Sequence, residues 1–145
     1  MSSEHIRPIA ICVFRRGNKI LVAEGFDPLR NTFFYRPIGG GIEFGEKSRD
    51  ALVREVREEL GAEITDLRYL GTIEDIFAFN GVQRHQIIQV YDARFWDASL
   101  YERVCLEGVE DKGSTYRAVW KDLDEFGSHR TRLVPEELLE LLLQG

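Results

Sequence analysis

Gly39, Gly40 and Gly41 stand between a short aromatic segment that stops at Pro37 and a helical pattern running from about Lys47 to Leu60. Gly61 follows that pattern, and glycine is the residue that most often closes an α-helix through a left-handed backbone. Glycine permits conformations and close approaches denied to other residues, so residues 39–61 read as a bend, a helix and a stop. At about 100° per residue, Leu52, Val53, Val56 and Leu60 fill an arc roughly 100° wide. A helix with such a stripe needs an apolar surface to pack on.

The rest of the chain supplies candidate strands for that surface. Ile6 to Phe14 is apolar and β-branched, Lys19 to Glu24 is similar, and Arg15-Arg16-Gly17-Asn18 between them predicts a hairpin turn. Thr32 to Tyr35 predicts a short extended segment. Beyond the helix, Thr65 to Phe77 and Val82 to Trp96 read as strands joined at Asn80-Gly81, a strong hairpin dipeptide. Thr115 to Trp120 reads as one more strand, and Pro135 to Leu143 as a helix with proline in its first turn. Its leucines are expected to pack on the sheet rather than to form a dimer contact. The order predicts an α+β fold, or an α/β/α sandwich with a mixed sheet between helices. With no repeat or linker, residues 1–145 are expected to form one domain.

Charge narrows the function. With 25 acidic and 19 basic residues the formal net charge is −6, which argues against broad nucleic-acid binding. The same charge repels phosphorylated substrates, so phosphate chemistry here requires a local cation. No apolar run is long enough to span a bilayer, and the first residues lack a signal-peptide layout. Two distant cysteines, Cys12 and Cys105, fit a reducing cytoplasm, with Cys12 expected to be a buried small hydrophobe.

The helix itself is unusual in its acids. Glu55, Glu58 and Glu59 fall within an arc of roughly 100°. Glu59 borders the apolar stripe, and Ala51 lies inside the acidic arc, leaving space above it. Like charges one turn apart destabilise a helix, and partial burial adds to the cost. A bound cation offsets both, and an all-oxygen donor set favours Mg²⁺, Mn²⁺ or Ca²⁺ over zinc. Arg54 is spaced to hold Glu58, and Asp50 to hold Arg54. Taken alone, the glutamates fit a solvated face balanced by Arg54 and Arg57 at least as well. The glycines alone fit a simple turn. They form neither a Walker A loop, since no Gly-Lys-Ser/Thr follows, nor a dinucleotide fingerprint, since Phe44 stands where the third glycine belongs.

Together, however, the stretch resembles the Nudix box, G-x5-E-x7-R-E-U-x-E-E-x-G-U with U aliphatic. Gly40, Glu46, Arg54, Glu55, Val56, Glu58, Glu59 and Gly61 fall on its positions, and Ala62 is a weak final U. With residue frequencies of roughly one in fifteen, the fixed matches arise by chance on the order of once in 10⁸ placements. Lys47 stands where many members carry Ser or Thr, so Ser48 is expected to cap the helix one residue late.

The resemblance implies a sandwich fold and metal-dependent cleavage of a phosphoanhydride bond, in a nucleoside diphosphate linked to another moiety or in a nucleoside triphosphate. It implies Mg²⁺ or Mn²⁺ held chiefly by Glu58 and Glu59, with Glu55 and a carbonyl near Gly40. Glu55, Glu58 and Arg54 would carry the chemistry, with Arg54 and Glu46 orienting the ligands. The proton acceptor is Glu55 or a loop glutamate among Glu102, Glu107, Glu110 and Glu125. Many relatives carry a glutamate three residues before the equivalent of Trp120, where this chain has Arg117. Arg36 is a candidate phosphate contact, His85 a weaker substrate contact, and Phe33, Phe34 and Tyr35 candidates for base stacking or, more readily, for the core. A small-molecule nucleotide partner is implied, and a homodimer is common in the family. Phe77 and Ala78 stand where ADP-ribose enzymes carry proline, so the substrate is left open. The alternative is a Nudix-fold sensor that binds nucleotides without turnover, a class that usually loses the box glutamates kept here.

Overall fold

The computed structural model describes residues 4–110, 112–127 and 131–144. One sheet joins β5 (Ile38–Gly41), β1 (Ile6–Val13), β7 (Val82–Phe95) and β6 (Ile64–Phe79) in that order. The second runs β2 (Arg15–Arg16), β3 (Lys19–Asp27), β9 (Thr115–Asp122) and β8 (Cys105–Val109), with β4 (Thr32–Arg36) also on β3. β1 is parallel to β7 and antiparallel to β5, which makes the first sheet mixed.

Both faces of the sheets are covered. Ala10 and Cys12 of β1 join Leu21, Ala118 and Trp120 in a core that takes Leu52 and Val56 of α1 (Ser48–Leu60). The alternate residues Ile11 and Val13 join Val22, Ile88 and Val90 in a second core, capped by Leu138 and Leu142 of α2 (Leu138–Gln144). Burial on both sides explains why β1 is apolar without alternation. The arrangement is the expected α+β sandwich with a mixed sheet, and Cys12 is fully buried as expected.

Several elements differ from expectation. β1 and β3 do not form a hairpin with each other, because the chain passes between sheets at Phe14. Arg15-Arg16 pairs back with Lys19-Ile20 across Gly17-Asn18, and the Phe14 carbonyl accepts the Leu21 N–H. The glycine triplet is no bend: it lies within β5, with Gly39, Gly40 and Gly41 opposite Ile11, Ala10 and Ile9. None of the three has a positive φ. Glycine is needed at 39 because a Cβ there would strike the Ala10 carbonyl oxygen of the neighbouring strand. Gly61 closes α1 as expected, at φ 64 with its N–H on the Arg57 carbonyl. At the other end Lys47 is the N-cap without a side-chain cap bond, and Ser48 is already helical, its hydroxyl 2.6 Å from that of Tyr91. The Asn80-Gly81 hairpin is present, both residues at positive φ. β8 was not anticipated. α2 starts three residues later than expected, with the Pro135 carbonyl accepting the N–H of Leu138 in a preceding turn. No helix among the described residues is long and apolar enough to cross a membrane.

The two faces of α2 make its docking testable. Leu138→Ala, at a fully buried position, is expected to lower stability in urea by about 2–5 kcal/mol. Leu143→Ala, at an exposed one, is expected to stay within about 0.5 kcal/mol of wild type. Equal losses at both sites would contradict this packing.

Candidate active site

α1 rests on β5 and β1, and the glycine strand lets it come close. Glu55, on the turn facing that strand, is only 2% exposed. A Cβ on Gly40 would overlap the Glu55 carboxylate, so this glycine is the space in which the acid sits. The helix is therefore rotated relative to the expectation from its periodicity. Glu55, not Glu59, is the most buried carboxylate, and Ala51 is fully buried rather than lying beneath open space. One Glu55 oxygen, Oε1, accepts from Arg54 Nη1 at 3.0 Å. The other, Oε2, is buried and accepts from no N–H donor among the described residues, its neighbour being the Glu59 carboxyl.

Arg54 is the cation around which the acids gather. Its Nε and Nη2 donate to both oxygens of Glu46, at 2.8 and 2.9 Å, the bidentate geometry in which guanidinium and carboxylate match best. Nη2 also reaches the Gly41 carbonyl at 3.0 Å, and Nη1 reaches Glu58 Oε2 at 3.3 Å. Glu43 lies 3.7 Å away. The hydrogen bonds from Arg54, helped by the Glu43 N–H, hold the Glu46 carboxyl down at about 2. Glu46 grips Arg54 with both oxygens, so the hold on Arg54 expected of Asp50 falls to Glu46, whose loop places it beside the guanidinium.

A second group forms around Glu59. The Tyr116 hydroxyl donates to Glu59 Oε1 at 2.6 Å. Burial pushes the Glu59 carboxyl up to about 8; the adjacent Glu55 adds to the rise, and the Tyr116 hydroxyl and the Arg36 charge oppose it. Arg36 pairs with Glu110 at 2.7 Å, and Ser114 donates to the same glutamate at 3.2 Å. Arg36 thus carries positive charge to the flank of the carboxylates.

The predicted residues Gly40, Arg54, Glu55, Glu58, Glu59 and Arg36 are brought to one region. As placed, Glu58 turns to Arg54 and Glu59 to Tyr116, and among the described residues no three His, Cys, Asp or Glu side chains converge tightly enough to enclose an ion. The donor chemistry nevertheless fits a hard cation: all donors are oxygen, and the buried Glu55 Oε2 is left over from the Arg54 pair, beside the Glu59 carboxyl. Of the loop glutamates, Glu110 alone is tied to this region through Arg36. Glu125 accepts the Asp122 N–H at 3.0 Å instead, and Glu107 lies opposite Arg117 in the β8–β9 ladder. His85 lies on β7 opposite Ile76. Tyr35 is buried in the core beneath α2, Phe34 sits edge-on to Phe79, and the exposed Phe33 pairs with Phe26. Tyr116 was missed, although its place two and four residues before the buried Ala118 and Trp120 puts it on the helix side of β9.

Comparison with known proteins agrees with this architecture. A family model described as NUDIX domain matches residues 4–142. The NAD-capped RNA hydrolase NudC of Pseudomonas putida (strain W619) is 41% identical over 71 residues, which cover 49% of this chain and 25% of that protein. NudC of Vibrio atlanticus (strain LGP32) is 39% identical over 67 residues, 46% of this chain and 24% of that protein. The match thus spans about a quarter of the length of these curated relatives. Among solved structures, a MutT NUDIX hydrolase from Burkholderia pseudomallei superposes with TM-score 0.66 at 23% identity, covering 96% of this chain and 98% of that one. A NUDIX hydrolase from Nitrosomonas europaea gives 0.65 at 22%, covering 97% and 90%. At these identities the likeness is one of fold. The chain belongs to the NUDIX domain family, and its α+β architecture is that of MutT-like members.

The elevated Glu59 carboxyl has a consequence for metal-free protein. Its folded value, about 8, lies above the ordinary 4.5, so its contribution to stability is complete below about pH 4.5 and is lost as pH rises through about 8. Urea midpoints in EDTA are expected to fall between about pH 5 and about pH 8.5, and Glu59→Gln to flatten that slope. An unchanged slope in the variant would remove Glu59 as its source.

Proposed function

We propose that this chain is a Nudix-type pyrophosphohydrolase. It would hydrolyse a phosphoanhydride bond in a nucleoside diphosphate linked to another moiety, or in a nucleoside triphosphate, with Mg²⁺ or Mn²⁺ as cofactor. The observation that carries this reading is the buried Glu55 carboxylate with one oxygen unsatisfied, seated in space that Gly40 leaves. Burying a carboxylate is costly even with one oxygen on Arg54, and a cation beside the other oxygen offsets that cost. A divalent ion at this place supplies neutralisation of the pyrophosphate and activation of water.

The residues proposed to hold it are Glu55, Glu58 and Glu59, with the Gly40 carbonyl. Glu58 turns Oε2 toward Arg54 and Glu59 turns Oε1 toward Tyr116; the second oxygen of each is the one proposed to meet the ion, that of Glu59 beside the Glu55 carboxyl. Arg54, gripped by Glu46, fixes Glu55 and Glu58 relative to the Gly41 main chain. With Glu55 Oε2 proposed to meet the ion, the proton acceptor is either Glu55 or the loop glutamate Glu110, which Arg36 ties to the same region. Arg36 offers its guanidinium to a substrate phosphate at the edge of the same region.

The name of the NudC relatives brings the pyrophosphate of an NAD-type cap into the candidate substrates. A net charge of −6 disfavours binding along an RNA backbone, so we place recognition on the nucleotide rather than on the RNA chain. NAD, ADP-ribose, nucleoside triphosphates and an NAD-capped oligonucleotide, each with Mg²⁺ or Mn²⁺, form the test panel. At least one is expected to be cleaved at the anhydride. Glu58→Gln is expected to cut that turnover by several orders of magnitude while leaving stability in EDTA unchanged or higher. A panel without any cleavage would sink the activity, and a fully active Glu58→Gln would sink the ligand set.

A further inference from the structure

The Nudix-box pattern ends at Ala62, yet a residue of β9 makes the shortest polar contact to its last glutamate. Tyr116 donates its hydroxyl to Glu59 Oε1 at 2.6 Å. The tyrosine is held in place from below. Gly108 is its cross-strand partner on β8, and a Cβ at 108 would occupy the space of the Tyr116 ring. The ring lies against the core that receives α1, together with Leu106 and Ala118. Its position is thus set by two paired strands and a missing side chain.

We propose that Tyr116 is a positioning residue for the cation seat, acting through Glu59. A glutamate side chain has several rotatable bonds, and ordering it for a ligand costs conformational entropy. The hydroxyl engages one oxygen and fixes the carboxylate plane, leaving the second oxygen on the side of Glu55. Partners that orient ligating carboxylates in this way contribute strongly to metal affinity. The proposal rests on the reading that the α1 carboxylates hold a divalent ion, and it adds a group from outside the box to the machinery that shapes them.

Tyr116→Phe keeps the ring and removes only the hydroxyl. Mn²⁺ binding to the full chain, followed by electron paramagnetic resonance of the free ion without substrate, is expected to weaken about 10-fold or more. The Mn²⁺ concentration for half-maximal turnover should rise in parallel, while kcat at saturating Mn²⁺ and the KM for substrate return close to wild type. The metal-free Tm is expected to change little. In a Glu59→Ala background, Tyr116→Phe should cost nothing further, because the tyrosine then has no ligand to orient. If wild type binds Mn²⁺ and Tyr116→Phe binds it equally well or more tightly, the positioning role is wrong and the hydrolase reading stands. If Tyr116→Phe weakens binding as much in the Glu59→Ala background as alone, the tyrosine does not act through Glu59. If wild type takes up no Mn²⁺ with or without a pyrophosphate ligand, the function proposed above fails together with this inference.

Discussion

The site is organised by one contact, the carboxylate of Glu55 laid against the main chain of Gly40. A carboxylate this deep loses most of its hydration, a cost that water cannot repay once the helix is docked. Arg54 satisfies one oxygen, and the other meets no donor among the described residues beyond the neighbouring Glu59 carboxyl. The contact also fixes how far α1 descends onto the sheet. Leu52 and Val56 reach full burial on the same docking, so the apolar and acidic faces of the helix are seated together.

Around that contact the charges are unbalanced. Glu43, Glu46, Glu55 and Glu58 all lie within ion-pair distance of the single guanidinium of Arg54. Glu46 takes its fork, and the others share what is left. Arg54 and Glu46 are largely enclosed, whereas Glu43 and Glu58 are half or more exposed; screening therefore makes the outer pairs weak. The inner pair sets geometry, and the outer carboxylates stay free to turn toward a more highly charged partner. Glu59, raised by burial and by its neighbour Glu55, belongs to the same imbalance.

Much of this could be read from the chain. The box spacing, the Gly61 stop and the Asn80-Gly81 turn are local signals, and each appears in the structure where local chemistry puts it. What failed was long-range. Glycine is poor in strands by propensity, so the triplet read as a bend, although pairing with β1 overrides that preference. A helical wheel shows Glu59 bordering an apolar stripe with Glu55 further round on the same side, but not how far that side rolls onto a strand without side chains. β8 is short and carries Gly108, which only makes sense once the Tyr116 ring is seen above it. Asp50 had the right spacing for Arg54, yet Glu46, reaching back from the loop, offered a bidentate bond that a helical neighbour cannot match.

A strand of three glycines has no side chains with which to fix its own alignment, and strands rich in glycine are prone to slide. In β5 the anchors stand at the two ends. Ile38 is sunk in the core beneath α1, and at Gly41 the carbonyl is clasped by Arg54. The arginine therefore works as a detent on the main chain as well as a counter-charge. Without that grip the Gly41 end of the row would rest on its ladder to β1 and on the Ile42 N–H at the Pro8 carbonyl, and the backbone facing Glu55 would be less firmly held although no carboxylate had been altered.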